Sequence, residues 1–204
     1  IPFMNNFSPY LGGKSVSNYF PFGLIINAPF TFLAFFSDKF SFYVFIAIFM
    51  YFYFKWFIEF TYEGKKALLW GFGAFCVAAL NYPILFSIDR ANFELYLALA
   101  LMFFLLSYNL PELFHRICAV FFLSSAISMK LFPVVFIVLY LSDRRFKEAI
   151  SVIVCSGLLT LLSALTFKGT LIDNYISFKS NQGQYVADFA LGGGGFEYSH
   201  SLFN

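Results

Sequence analysis

The chain is 204 residues long, 60% hydrophobic and 12% charged, with a mean hydropathy of +0.76; soluble domains carry about 25% charged residues, so an ordinary soluble domain is excluded and an integral membrane protein is expected. A net charge of +2, with no basic run beside interleaved aromatics, excludes a nucleic-acid groove. The 33 phenylalanines read as the coding bias of an AT-rich genome and not as an aromatic binding box.

In chain order, residues 1–19 are polar and read as part of an outer loop. The chain opens on Ile1 with no initiator Met and no cleavage signature, and so reads as an internal piece of a longer protein. A spanning helix needs ~20 mostly apolar residues. Residues 20–36 number only 17 and contain Pro21, Asn27 and Pro29, which predicts an interfacial or re-entrant helix. Clear apolar runs bounded by charge or by Pro and Gly follow at 40–58, 67–86, 93–108 and 149–167. Residues 117–141, a stretch of 25, are long for one span and short for two, with Lys130 and Pro133 near the middle.

Short loops rich in Lys and Arg stay cytoplasmic. The two densest are Glu63–Lys66 and Asp143–Lys147, with Arg116 in the turn between them. A single crossing over 117–141 would put Arg116 and the Arg144-Arg145 pair on opposite faces; a hairpin folding back at Lys130 keeps both inside. The hairpin is therefore expected, with arms reaching about Glu112 and Phe146. The predicted fold class is an all-α integral membrane protein: a juxtamembrane helix over 20–36, a polytopic bundle of six spans over 37–167, and an outer loop over 168–204. The Asp89-Arg90 loop and the Lys130 turn then share the outer face with residues 1–19.

Ionisable side chains at membrane depth are costly and mark a pathway or a site by default. Arg90 offers bidentate recognition of a phosphate or carboxylate, although an Asp89-Arg90 pair anchoring the hairpin fits as well. Asn92 and Glu94 could hold sugar hydroxyls, with helix capping the simpler role. Lys130 follows the small-residue run Ser124–Ser128, which permits close helix packing. Its ammonium could neutralise a lipid phosphate, or it could simply snorkel to water. The outer segments are rich in hydroxyls and amides, and within them Tyr19 and His200 are candidates for contact with sugar or acceptor. His115, beside Arg116, reads as structural. Cys76, Cys118 and Cys155 stand singly in apolar runs and read as packing residues. Gly192–Gly195 reads as a flexible loop. No metal-ligand spacing, P-loop or nucleophile elbow occurs, and no metal or other cofactor is expected.

Three stretches taken in order resemble glycosyltransferase family 87: Asn18-Tyr19-Phe20-Pro21-Phe22 with Asn27-Ala28-Pro29; Asp89-Arg90-Ala91-Asn92-Phe93-Glu94; and Met129-Lys130-Leu131-Phe132-Pro133 running to Asp143-Arg144-Arg145-Phe146. That family holds polyprenyl-phosphate-dependent mannosyltransferases with the multi-helix C-type fold. The resemblance implies a juxtamembrane helix opened by Tyr19-Phe20-Pro21-Phe22, here with a single Pro. It also implies a lipid-phosphate cavity lined by Arg90, Asn92 and Lys130, and a catalytic carboxylate upstream of Ile1, so no base is assigned in this chain. The expected function is transfer of a hexose such as mannose from a polyprenyl-phosphate donor to a lipid or glycan acceptor, on the periplasmic side of a bacterial inner membrane. Two rivals remain: a transporter or flippase of lipid-linked sugars, and a non-catalytic membrane assembly subunit.

Overall fold

A computed structural model describes residues 20–61, 67–79, 84–85 and 94–185. Tyr19, Asp89, Arg90, Asn92 and His200 lie outside them. Among the described residues every regular element is helical: α1 (Pro21–Ala34), α2 (Asp38–Thr61), α3 (Ala67–Ala79), α4 (Glu94–Tyr108), α5 (Leu113–Met129), a 3-10 turn (Phe132–Phe136), α6 (Ile137–Ser142), α7 (Phe146–Ala164) and α8 (Leu171–Tyr185). The described residues fall in two compact units, a larger one within residues 22–159 and a smaller one that includes residues 160–185.

In the larger unit, Ser37 starts α2 by accepting the Phe40 amide on its hydroxyl at 3.3 Å, which satisfies one of the donors left over at a helix N-terminus. One turn into α2, the Ser41 hydroxyl donates to the Phe30 carbonyl at 2.6 Å and ties α1 to α2. Phenylalanine here is core material. Phe45, Phe49, Tyr53, Leu95 and Leu99 form one buried cluster, with Phe30 edge-on to Phe45 at 5.1 Å and Phe45 against Tyr96 at 4.7 Å. The Tyr96 hydroxyl donates to the Phe45 carbonyl at 3.0 Å, so the ring is buried without stranding its polar end.

α4 and α5 form an antiparallel hairpin whose middle is marked by the stacked rings of Phe103 and Phe122, 5.2 Å apart. The chain reverses at Lys130. Its amide still donates to the Ala126 carbonyl at 3.1 Å, but its own backbone is extended, at φ −148° and ψ 149°. Pro133, which has no N–H to continue a ladder, opens the 3-10 turn that starts the return. The return arm then packs Ile137 and Tyr140 against Phe104, Tyr108, Ala119, Leu123 and Ile127 in a second buried cluster. Both arms of this reversal therefore meet the Tyr108 end of α4. The return is shorter and less regular than α5, because Pro133 interrupts the first part of it.

α7 runs parallel to α5 along a seam of serines. The Ser124 hydroxyl donates to Val152 O at 3.2 Å, while Ser128 shares its single proton between Ser124 O at 2.7 Å and Ser156 O at 3.1 Å. The small-residue run thus brings two backbones within reach of one side-chain oxygen. Among the described residues, α7 is the one helix both long and apolar enough to cross a bilayer. Only 22% of its apolar window is buried, and Ile150, Ile153, Val154 and Leu158 point outward, the reverse of a soluble core helix. α1, α4, α5 and the Phe132–Ser142 arm are apolar but shorter, and the described part of α3 ends at Ala79. The six expected spans thus exceed what these helices establish by length.

In the smaller unit, residues 171–185 form α8, where the sequence suggested only a loop. Its start is a reciprocal cap: the Asp173 amide donates to the Thr170 hydroxyl at 3.1 Å, and that hydroxyl donates to the Asp173 carboxylate at 2.6 Å. These bonds from Thr170 hold the exposed Asp173 carboxyl below its ordinary value of 3.8. Asn174, almost fully buried, donates to the carbonyls of Lys168 and Thr170, both at 3.1 Å. Gly169 supplies the left-handed turn before the cap, at φ 96°.

Candidate functional site at the Lys130 end of the helical hairpin

Of the sequence-predicted site residues, the two that fall among the described residues meet. Lys130 Nζ donates to Glu94 Oε1 in an ion pair. The antiparallel register of α4 and α5 puts the first residue of one helix beside the residue that ends the other. Helix dipoles favour this arrangement, since the carboxylate lies at an N-terminus and the ammonium at a C-terminus. Beneath Lys130, Ser128 and Met129 are buried at 1% exposure each, and Pro133 is also buried. Beside it, Leu131 and Phe132 are well exposed. The side chains of Lys130 and Glu94 keep 28% and 44% of their surface. A cation paired with a carboxylate, on a packed floor beside exposed apolar residues, suits the charged end of an amphiphile. It can neutralise an anion, and the carboxylate can accept hydrogen bonds from hydroxyls.

A second polar cluster, unforeseen in the sequence, closes the other end of the hairpin. Arg145 stacks on two rings, with Cζ 5.0 Å from the centres of both Tyr108 and Tyr140. Its Nη1 donates to the Tyr108 carbonyl at 3.0 Å and its Nε to Glu148 Oε1 at 3.3 Å. Arg116 Nε donates to the same Glu148 oxygen at 2.9 Å, and the Tyr108 hydroxyl donates to Asp143 Oδ2 at 2.6 Å. Arg145 Nη2 and the Tyr140 hydroxyl are buried without a hydrogen-bond partner among the described residues. Five segments are locked here: the end of α4, the start of α5, α6 through Tyr140, the loop after it and the first turn of α7. The available sequence signals are the i, i+3 spacing of Arg145 and Glu148 and the two tyrosines at helix ends.

α4, 15 residues long, separates the two clusters by ~22 Å. They cannot grip one small ligand. His115 lies near the second cluster, with its ring 5.6 Å from that of Phe114. Cys76, Cys118 and Cys155 are unpaired and partly buried. Among the described residues no group of three or more His, Cys, Asp or Glu is placed to hold a metal ion.

The model of one protein family, described as glycosyltransferase family 87, matches residues 18–191. No curated protein and no solved structure matches the chain.

Proposed function

The chain belongs to glycosyltransferase family 87, and from that membership, which makes glycosyl transfer its class of activity, we propose that it moves a hexose such as mannose from a polyprenyl-phosphate donor to a lipid or glycan acceptor. In this reading it is a multi-pass protein of a bacterial inner membrane, a polytopic bundle of the C-type kind working on the periplasmic side. The observation that supports it most is the position of Lys130: a partly exposed ammonium at a helix reversal, beside apolar surface, at the opposite end of the hairpin from Arg116 and Arg145.

The proposed chemistry is an in-line displacement. A carboxylate acting as general base removes the proton of an acceptor hydroxyl, whose oxygen attacks the anomeric carbon. The bond from that carbon to the phosphate oxygen breaks, and polyprenyl phosphate leaves with the electron pair. Such a base is worth 10²–10⁴-fold, roughly 3–5 kcal/mol. Arg90 and Lys130 bind the departing phosphate, and in a poorly hydrated cleft each charge acts more strongly than in bulk water. Asp89, Asn92, Glu94, Tyr19 and His200 are proposed to contact the sugar or acceptor. The test is incubation of the full-length protein in proteoliposomes with labelled polyprenyl-phosphate mannose. Covalent transfer that falls at least tenfold in Lys130→Ala is the expected result. Translocation without transfer assigns a carrier, and neither outcome leaves an assembly subunit.

A further inference from the structure

Lys130 is already held by an anion of the charge that its proposed ligand carries. We infer that Glu94 is a resident counter-ion which the donor's phosphate displaces from Lys130, and that the freed carboxylate then turns to a hydroxyl of the sugar or acceptor. The inference rests on the reading of Lys130 as the phosphate ligand, and adds to it what controls access to the ammonium.

Three features make the exchange feasible. Both side chains retain surface, 28% for Lys130 and 44% for Glu94, so an incoming anion can approach without unpacking the hairpin. The swap preserves charge at the ammonium, because a sugar phosphodiester carries one negative charge, as the carboxylate does. Glu94 is also not stranded when displaced, for it stays in the first turn of α4, where the helix dipole favours a carboxylate. Ser128, Met129 and Pro133 are buried around the reversal, so the backbone holding Lys130 stays put while its partner changes.

The exchange has a direction. Transfer turns the phosphodiester into a phosphomonoester of charge about −1.5 to −2, which sits close to the displaced carboxylate. Like charges at that distance repel, and the return of Glu94 to Lys130 competes with the product. One residue thereby opposes premature occupation of the site and assists release of the spent carrier. A bound sugar hydroxyl holds the carboxylate away only while donor is present.

The measurement is binding of a polyprenyl phosphate without sugar to the full-length protein in nanodiscs, at low and high salt. Glu94→Gln and Glu94→Ala remove the competing charge. Partly exposed ion pairs contribute little, so the expected gain is about threefold to fivefold tighter binding in both variants. Glu94→Asp should bind like the parent, and Lys130→Met should lose binding in either background. Two variants at Glu94 keep the result readable if one folds poorly. Equal or weaker binding in both, with binding still lost in Lys130→Met, overturns the counter-ion role and spares the phosphate role of Lys130. Undiminished binding in Lys130→Met removes both.

Discussion

Replacing Arg145 with Met tests whether the unforeseen cluster holds the hairpin together. Met has similar length and is apolar, so it fills most of the space between the two rings while removing the charge. The guanidinium stacks on Tyr108 and Tyr140 at 5.0 Å each; at about 1 kcal/mol per cation–π contact, these give ~2 kcal/mol. Its charged hydrogen bond to the Tyr108 carbonyl at 3.0 Å adds about 1.5 kcal/mol. Against this, the variant relieves the buried Nη2 of its unmet bond, returning roughly 1 kcal/mol. Glu148 keeps Arg116 as a partner, so no orphaned carboxylate is added. The net loss is about 2–3 kcal/mol, or a fall of roughly 5–10 °C in Tm for a chain of this size. A thiol-reactive dye can follow unfolding in detergent through Cys118 and Cys155, which are partly buried in α5 and α7. Arg145→Lys should recover less than half of the loss, because an ammonium cannot stack and fork in the same plane. A midpoint for Arg145→Met within about 2 °C of the parent would refute the reasoning, as the cluster would then contribute nothing net.

Further outcomes follow from the same geometry. Ser128→Leu should destabilise by more than about 2 kcal/mol, because the added atoms have no room in the seam with Ser156; a normal thermal midpoint would mean that α5 and α7 are not in contact there. Arg144 holds a left-handed φ of 57°, so Arg144→Gly should stabilise by about 0.5–1 kcal/mol, and a lowered Tm would show that its side chain matters more than its backbone. The Asp173 carboxyl is held below its ordinary value, so its contribution to α8 is fully present above that value and is lost as pH falls through the lowered one. Amide protection at Ile172–Asn174 should therefore drop on acidification below pH 3.8 in the parent and stay flat in Asp173→Asn; parallel curves would remove the cap from the account.

The Glu94–Lys130 pair also bears on how such a site stays usable. A lone ammonium beside exposed Leu131 and Phe132 would attract any anionic lipid. Under the proposed exchange, a weak internal carboxylate would set a threshold that a better-fitting phosphate could pass, trading some affinity for selectivity.

Composition alone pointed to a chain suited to lipid, because so few charges over so many apolar residues leave too little polar surface for a soluble domain. Charge density in the short loops also predicted the reversal at Lys130, since Arg116 and the Arg144-Arg145 pair had to share an end, and the order of three short motifs pointed to the family that matches residues 18–191. Partner choice was not legible in that way. Glu94 and Lys130 are 36 positions apart, and nothing local to either distinguishes a cap or a snorkelling lysine from half of an ion pair. Arg145 likewise looked like a marker of sidedness until the return arm brought Tyr140 beside Tyr108. These pairings depend on helix register and on where Pro133 sends the chain, quantities set by packing over the whole hairpin, so only the tertiary structure could decide them.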